Sequence, residues 1–244
     1  MENQELLDKI RKQLDLPEKM DPVEIVKENF FNWYFHSGML DNLQYMGIKI
    51  LKCPFDMWNY QDIIYTFNPD VVIETGTFMG ASALFLADVM ERIKHGKVIT
   101  IDIIKRSFPQ HPRITYLTGS SVDEDTINEV KGLIKPTDNV MVIMDSDHRF
   151  EHVTKELEIY GPMTSRGQYC IVEDTFIFNG NTGEFPRLAV NKFLEKNSDF
   201  VIDTSMHRFG ITLNPCGYLY KKPNNFRIIT QDFENRGKNI KSCE

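Results

Sequence analysis

The stretch Val71-Val72-Ile73-Glu74-Thr75-Gly76-Thr77-Phe78-Met79-Gly80 determines how the rest of the chain is interpreted. Three β-forming residues precede an acid and a glycine-containing turn, and the turn leads into the apolar segment Ala81-Ser82-Ala83-Leu84-Phe85-Leu86-Ala87. A strand that passes through a glycine turn into a helix is the repeating unit of nucleotide-binding α/β proteins. The stretch therefore predicts a doubly wound sheet with a ligand site at this turn.

The spacing of the two glycines bears on the kind of ligand. Gly76 and Gly80 form a Gly-x-x-x-Gly pattern, whereas the dinucleotide fingerprint is Gly-x-Gly-x-x-Gly, which lets the backbone approach a pyrophosphate. An acid at the strand end, here Glu74, would repel a phosphate and attract a cation such as the amino acid end of S-adenosylmethionine. We therefore predict S-adenosylmethionine as the cofactor, and the alternative is a plain tight turn without a ligand.

The composition argues against several classes of partner. The 244 residues suffice for one large α/β domain with a full core. The formal net charge of -7 argues against nucleic acid as the main partner. No apolar stretch reaches the roughly 20 residues of a membrane span, and the N-terminus lacks the pattern of a secretion signal, so we expect no membrane association and a cytoplasmic location. Cysteines at 53, 170, 216 and 243 are widely spaced and are expected to be reduced.

The N-terminal part is predicted to form a helical layer. Residues 4–15 and 22–36 have helical patterns, and Asp21-Pro22 is a typical helix start. The segment 44–60 is predicted to be irregular and to lead into a helix at 60–67. The expected organisation is a helical cap and cofactor-covering segment at 1–60, a core at 61–222 and a polar tail at 223–244, all within one structural domain.

Strands and helices alternate regularly after residue 70. We predict strands at 71–75, 97–103, 114–119, 139–146, 168–175, 200–205 and 209–220, and helices at 80–94, 123–134, 149–160 and 186–196. Near-continuous apolar strands indicate a parallel sheet that is covered on both faces. The last two strands have no predicted helix between them, so they should form an antiparallel hairpin through residues 205–208. This pattern predicts an α/β fold of the class I methyltransferase type, Rossmann-like, with a seven-stranded, mostly parallel sheet, a C-terminal antiparallel hairpin and an N-terminal helical cap.

Ligands of doubly wound sheets lie beyond the carboxyl ends of the strands. Asp102 ends a predicted strand at about the distance from the glycine turn at which an acid commonly binds ribose hydroxyls. Ser120 follows the next strand and would pack near the adenine, although a plain loop is an equally good interpretation. The predicted cofactor-binding residues are Glu74, Gly76, Thr77, Gly80, Ser82, Asp102, Ser120 and Asp145.

Two further strands end in acids. Asp145 follows one of them, and Glu173 and Asp174 end the other, so three carboxylates would converge if the two strands were neighbours. Their mutual repulsion would have to be relieved by protonation or by a cation. An all-oxygen ligand set favours Mg²⁺, with Mn²⁺ or Ca²⁺ as alternatives. The other interpretation is that Asp147 and Asp174 are solvated helix caps.

A histidine lies next to these acids. His148 follows Asp145 by three residues where the chain turns from strand to helix, and a histidine beside a metal site is a natural general base. We therefore predict that His148 is the catalytic base and that Asp145 is the second catalytic residue. His152, one helical turn later, is the competing candidate.

Three motifs carry a resemblance to a known family: Glu74-Thr-Gly-Thr-Phe-Met-Gly, Asp145-Ser-Asp-His and Val172-Glu-Asp-Thr. Over about residues 44–221 the chain resembles the cephalosporin hydroxylase family, which is similar to metal-dependent macrolide-sugar and rhamnosyl O-methyltransferases. The resemblance implies a class I methyltransferase fold that binds S-adenosylmethionine, with Mg²⁺ on Asp145, Glu173 and Asp174 and His148 as the catalytic histidine. It also implies that the loop 176–185 faces the acceptor and that the chain forms a homo-oligomer.

These observations together predict an Mg²⁺-dependent O-methyltransferase that acts on a hydroxyl of a small molecule, either a sugar or a secondary metabolite. A hydroxylase is the first alternative, but non-haem iron oxygenases need two histidines and a carboxylate, and none of the six histidines begins a His-x-Asp or His-x-Glu pair. A non-catalytic, cofactor-binding partner protein is the second alternative. The presence of the acids and His148 argues against it.

Overall fold

The computed structural model describes residues 8–9, 12, 22–176 and 186–224. Its strands are β1 (Gln44–Tyr45), β2 (Ile48–Lys49), β3 (Val71–Thr75), β4 (Lys97–Asp102), β5 (Ile114–Thr118), β6 (Val140–Met144), β7 (Tyr169–Val172), β8 (Phe200–Ile202) and β9 (Tyr218–Lys221). Its helices are α1 (Pro22–His36), α2 (Met39–Asn42), α3 (Pro54–Phe67), α4 (Ala81–Ile93), α5 (Glu124–Gly132), α6 (Phe150–Met163), α7 (Pro186–Lys196) and a 3-10 helix (Thr204–His207). Most of the predicted helix 4–15, the predicted acceptor loop after Phe176 and the tail after Asn224 lie outside the described residues.

Seven of these strands form one sheet in the order β5-β4-β3-β6-β7-β9-β8. The five strands from β3 to β7 pair in parallel, whereas β9 runs antiparallel to both of its neighbours. The predicted fold class is therefore confirmed, including the reversed strand near the C-terminus. Because β3, β4 and β6 are adjacent and parallel, their carboxyl ends meet at one edge of the sheet.

The sheet is buried on both faces, as the apolar strands predict. Successive side chains of a strand point to opposite faces, so Ile73 packs with the cluster under α6 and α7, while Val72 packs with Leu86 and Met90 of α4. Each such side chain contributes roughly 1.5–3 kcal/mol when it is fully buried. This packing gives the strand ends a rigid base.

The segment before β3 is more regular than predicted. The structure has the short hairpin β1-β2 within residues 44–60, and α3 begins at Pro54, earlier than the predicted start at Tyr60. Proline is favoured at the first helical position because its missing N–H has no partner there in any case. The helical periodicity was hidden because polar Asp56 and Asn59 lie on the buried face of α3.

Asp56 joins this helix to the C-terminal segment. Its Oδ1 accepts hydrogen bonds from Thr212 Oγ1 at 2.5 Å and from the Tyr218 hydroxyl at 2.6 Å. Its Oδ2 accepts a third from the backbone N–H of Leu213 at 2.9 Å. The carboxyl is almost completely buried, and burial raises its pKa.

Replacing Asp56 by alanine should lower the free energy of unfolding by about 3 kcal/mol, because it leaves buried donors without acceptors. Asp62→Ala is a matched control on the same helix, because Asp62 is paired with Arg208 at 2.7 Å near the surface. This substitution should lower the free energy of unfolding by less than about 1 kcal/mol. Denaturant titration of both variants measures the difference. Equal losses would show that the Asp56 contacts do not hold the two segments together.

The C-terminal hairpin differs from the prediction in its connection. β8 and β9 are antiparallel neighbours, but the predicted turn at 205–208 is wrong, since the 3-10 helix Thr204–His207 and a long loop separate the two strands. The predicted strand at 209–220 is also wrong except at its end. Its first part is bound to Asp56 through Thr212 and Leu213, which takes it away from the sheet.

Two other predictions are tested by the described residues. None of the helices in the described ranges is long and apolar enough to cross a membrane. Cys53 and Cys170 are buried free thiols, as predicted. Cys216 is bonded in a disulfide, so the prediction of reduced cysteines is wrong for that residue.

Candidate active site

A cavity of about 390 Å³ opens where β3, β4 and β6 end. The glycine turn, the start of α4 and the end of β4 form one wall, which comprises Gly76, Thr77, Phe78, Ala81, Ser82, Asp102, Ile104 and Arg106. The polar floor comprises Lys52, Asp145, Ser146, His148 and Asp174. The segments around α1, β2 and the two C-terminal loops complete it with Phe35, Leu40, Lys49, Ile50, Leu51, Phe176 and Leu213.

The turn after β3 requires its glycines. Gly76 has φ +89, and a Cβ on it would lie 1.8 Å from the backbone oxygen of Asp145. The glycine turn is thus packed directly against the residue that follows β6. Gly80 has φ +82 and precedes α4, whose N-terminal residues Ala81 and Ser82 face the cavity with the positive end of the helix dipole.

Glu74 is fully buried behind this turn. Its Oε2 accepts a hydrogen bond from Thr100 Oγ1 at 2.6 Å, and the Thr77 hydroxyl lies 2.7 Å from the same Thr100 oxygen. Among the described residues, Oε1 of Glu74 has no hydrogen-bond partner. Burial raises the pKa of Glu74, and the charge of Lys52 opposes that rise.

Asp102 lines the cavity at the end of β4, whereas three other predicted cofactor-binding residues, Glu74, Gly80 and Ser120, are not among the described residues that line it. The Asp102 carboxylate accepts hydrogen bonds from the backbone N–H groups of Phe78 and Ile104, both at 2.8 Å. Arg106 Nη1 lies 3.4 Å from it. Asp102 therefore holds the glycine turn in place, and its carboxylate oxygens can accept further hydrogen bonds.

Two of the three predicted carboxylates, Asp145 and Asp174, come together with His148, whereas Glu173 stands outside this group and pairs with a lysine. Lys52 Nζ is 2.5 Å from Asp145 Oδ2 and also forms an ion pair with Glu173 Oε1. Burial opposes the charge of Lys52, but Asp145 and Glu173 outweigh it and raise its pKa above the ordinary value. Burial and repulsion from Asp145 raise the pKa of Glu173 well above its usual range, against the attraction of Lys52.

His148 faces the other two acids. Its Nε2 lies 3.3 Å from Asp174 Oδ2 and 4.0 Å from Asp145 Oδ1. One ligand atom from each of these three residues lies within 4.8 Å of the others. Burial, followed by repulsion from Asp145, raises the pKa of Asp174 to about 6, and His148 opposes this rise. Asp174 adopts a left-handed φ of 56, and its N–H donates to Asn214 Oδ1 at 2.9 Å.

His152, the competing base, is engaged elsewhere. Its Nε2 lies 3.1 Å from the hydroxyls of both Ser121 and Ser146, and 3.5 Å from Oε1 of the buried Glu156. The hydrogen bond with Glu156 is the main reason that the pKa of His152 is raised. Of the described histidines, only His148 lines the cavity.

Sequence reasoning missed three features of this site. Lys52 lies in a segment that was predicted to be irregular, and no pattern marks it as buried. Phe35 and Phe176 stack at 5.4 Å to form an apolar wall, but they come from distant parts of the chain. Arg106 could have been suspected from its position four residues after Asp102, because both follow the same strand end.

The sheet order and the reversed strand β9 are those of the class I methyltransferase fold, and the cavity lies beside its glycine turn. The chain belongs to the family whose model is described as rhamnosyl O-methyltransferase/CmcI, which matches residues 37–222. It is therefore an S-adenosylmethionine-dependent O-methyltransferase by class.

Similar proteins agree with this assignment. The chain is 32% identical over 213 residues to a rhamnosyl O-methyltransferase of Mycobacterium tuberculosis, which covers 82% of this chain and 86% of the relative. A Mycobacterium leprae protein of the same name is 31% identical, with 82% and 93% covered. A CmcI structure with Mg and SAM superimposes with a TM-score of 0.60 at 20% identity, over 74% of this chain and 77% of that one. An apo structure of CmcI gives 0.57 at 21% identity, over 74% and 76%.

Proposed function

We propose that this enzyme transfers a methyl group from S-adenosylmethionine to a hydroxyl of a sugar or a sugar-bearing metabolite, with a divalent cation, Mg²⁺, at the carboxylates. The observation that carries the proposal is the convergence of Asp145, His148 and Asp174 on the floor of a cavity whose wall is the glycine turn. The names of the mycobacterial relatives support a sugar hydroxyl as the acceptor.

The residues present fit a hard cation. Carboxylate oxygens are the ligands that Mg²⁺ prefers, and the raised pKa values of Glu173 and Asp174 reflect carboxylates that burial and mutual repulsion destabilise in their charged form. Asp145, Glu173 and Asp174 would hold the ion, which would lower the pKa of an acceptor hydroxyl beside it. Glu173 is outside the group formed by Asp145, His148 and Asp174, and its Oε1 is paired with Lys52, so its contribution as a ligand would be secondary to theirs.

The cofactor also fits the residues on its side of the cavity. Glu74 is buried behind the glycine turn and is not among the described residues that line the cavity, so its charge would attract the cationic amino group of S-adenosylmethionine across the turn. Asp102 would accept from the ribose hydroxyls. Gly76 and Thr77 line the same wall of the cavity as Asp102, so these residues of the turn would hold the cofactor.

Each of the residues that line the rest of the cavity would then have its own role in the reaction. His148 Nε2 would take the proton of the acceptor hydroxyl, since it is half exposed and faces the cavity. The Asp174 carboxylate would hold the imidazole in place and stabilise its protonated form. The aromatic wall of Phe35 and Phe176 would cover the apolar face of a sugar ring and keep the hydroxyl aligned, and alignment supplies much of the acceleration in such a transfer.

The test of this proposal is a screen of purified protein with cofactor and Mg²⁺ against sugars, glycosides and polyhydroxy-aromatic compounds. We expect mass spectrometry to detect methylation of sugar hydroxyls. Methylation confined to aromatic hydroxyls would contradict the proposed acceptor class, and methylation of nitrogen would contradict O-methyl transfer itself.

Asp102→Ala should weaken S-adenosylmethionine binding by about 2–4 kcal/mol, which is roughly thirty-fold or more, because hydrogen bonds to a charged acceptor are lost. Isothermal calorimetry measures this directly. Arg106→Ala is the control, since it removes a neighbour of Asp102 at 3.4 Å and leaves the carboxylate in place, and it should cost much less. An unchanged affinity in Asp102→Ala, or tight NAD binding by the unmodified protein, would refute the assignment of this wall to S-adenosylmethionine.

A further inference from the structure

Lys52 is the one lysine among the described residues whose side chain is buried in the candidate active site. It is 3% exposed, and lysine is almost never so buried unless it is paired. Its partners are Asp145, through Oδ2 at 2.5 Å, and Glu173, through Oε1. The ammonium group is thus a cation already bound to two of the three carboxylates proposed as metal ligands.

The backbone holds this lysine firmly in position. Residue 52 lies between the hairpin β1-β2 and the start of α3, and its carbonyl accepts a hydrogen bond from the buried Tyr34 hydroxyl at 2.9 Å. Cys53, the next residue, is buried and precedes Pro54 of α3. The backbone of Lys52 is therefore fixed in place. The amino group of this buried side chain cannot leave the carboxylates by the free rotation that a surface lysine has.

Asp145 lies between Lys52 and His148. Lys52 contacts Oδ2 of Asp145, whereas Oδ1 of the same side chain is the oxygen 4.0 Å from His148. Asp174 lies on the His148 side, with its Oδ2 at 3.3 Å from His148 Nε2. One oxygen of Asp145 is thus committed to the ammonium and the other remains for a divalent ion, whereas Glu173 also accepts a hydrogen bond from the Tyr60 hydroxyl.

We propose that Lys52 is a resident cation that stabilises the carboxylate cluster before a divalent ion binds and weakens the binding of that ion. This inference rests on the proposed metal-dependent function and adds a residue that tunes it. Two like charges near the same carboxylates repel each other, so removal of the ammonium leaves more negative charge for the divalent ion. Lys52 is a positioning residue, since it acts through Asp145 and Glu173.

The experiment is a titration of the protein with Mn²⁺ alone, with free ion measured by electron paramagnetic resonance. Lys52→Met should bind Mn²⁺ at least about ten-fold more tightly than the unmodified protein. Its melting temperature without added metal should be lower, and Mn²⁺ should raise it by more than it does in the unmodified protein. A merely structural role for Lys52 would lower the melting temperature without tightening the binding.

Two controls separate this effect from a general change of charge. Lys97→Met removes a partly buried lysine at the opposite end of β4, where Nζ donates to the Leu133 carbonyl at 2.7 Å, and Mn²⁺ affinity should not change. Lys52→Arg keeps the charge and should remain within a few-fold of the unmodified protein. Tight binding in Lys52→Arg as well would overturn the inference, because the charge is still present.

The outcomes distinguish this inference from the proposed function. If the unmodified protein binds Mn²⁺ and Lys52→Met binds it no more tightly, the inference fails and the metal site stands. If neither protein binds Mn²⁺, both are overturned. If Lys52→Met does not fold, nuclear magnetic resonance of the unmodified protein with ¹⁵N-labelled lysine replaces it. Saturating Mg²⁺ should shift the signal of the Lys52 ammonium group. An unshifted signal would refute the proposal that Lys52 and the ion share carboxylates.

Discussion

His148→Ala is expected to lose about 10²–10⁴-fold in turnover while it keeps its fold and its affinities for S-adenosylmethionine and divalent metal, because this is the usual cost of removing a general base. His148 lines the cavity, and its Nε2 lies 3.3 Å from Asp174 and 4.0 Å from Asp145. A base must be neutral before it accepts a proton. The Asp174 carboxylate beside His148 would hold the imidazole in place for that step.

The matched control for this prediction is His152→Ala. His152 bonds to Ser146 and Ser121 and lies against Glu156, and the variant should therefore lose stability more than turnover. Steady-state kinetics with metal titrations on both variants measure the difference. The reverse order of losses would assign the base to His152, and a large loss of metal affinity in His148→Ala would make His148 a ligand.

Metal binding should require the carboxylates as a set. Asp145→Asn and Asp174→Asn are each expected to weaken Mg²⁺ binding by more than about 100-fold. Even the mutation of a residue that only hydrogen-bonds to a metal ligand lowers metal affinity by roughly 10–100-fold. Turnover should fall by roughly 10²-fold or more because the ion contributes several kcal/mol of charge stabilisation. Cofactor affinity should change little, because Glu74 and Asp102 remain.

Asp147→Asn is the matched control, since Asp147 belongs to the same loop and is paired with Arg149 at 2.5 Å. It should bind Mg²⁺ like the unmodified protein. The pKa of Asp174, raised to about 6, adds a pH dependence: a ligand must lose its proton to bind a metal, so Mg²⁺ affinity should fall as the pH is lowered through 6. Calorimetry at several pH values checks both points, and an affinity that stayed constant to pH 5 would argue against Asp174 as a ligand.

The fold was predictable because its signals are local. Val71–Ile73 with the following glycine turn mark β3 and α4, and apolar runs such as Val140–Met144 mark buried parallel strands. Parallel pairing then brings Asp102 and Asp145 to the same edge of the sheet, so a cluster of acids at one mouth followed from the topology alone.

The features that could not be predicted depend on contacts between distant residues. Lys52 reaches Asp145 and Glu173 across 93 and 121 positions of the chain, and nothing in the residues next to it indicates a buried charge. The same holds for Asp56, which binds Thr212 and thereby removes that segment from the predicted strand. Buried polar networks are built from single residues, whereas strands and helices are built from repeating patterns.

Metal-dependent transfer of a methyl group to a hydroxyl oxygen is tested most directly by one measurement. The protein is incubated with methyl-labelled S-adenosylmethionine and a panel of sugar acceptors, first after exhaustive chelation with EDTA and then after Mg²⁺ is restored. We predict that label appears on an acceptor oxygen with Mg²⁺, disappears on chelation and returns on readdition. Full transfer in the chelated sample would contradict the claim.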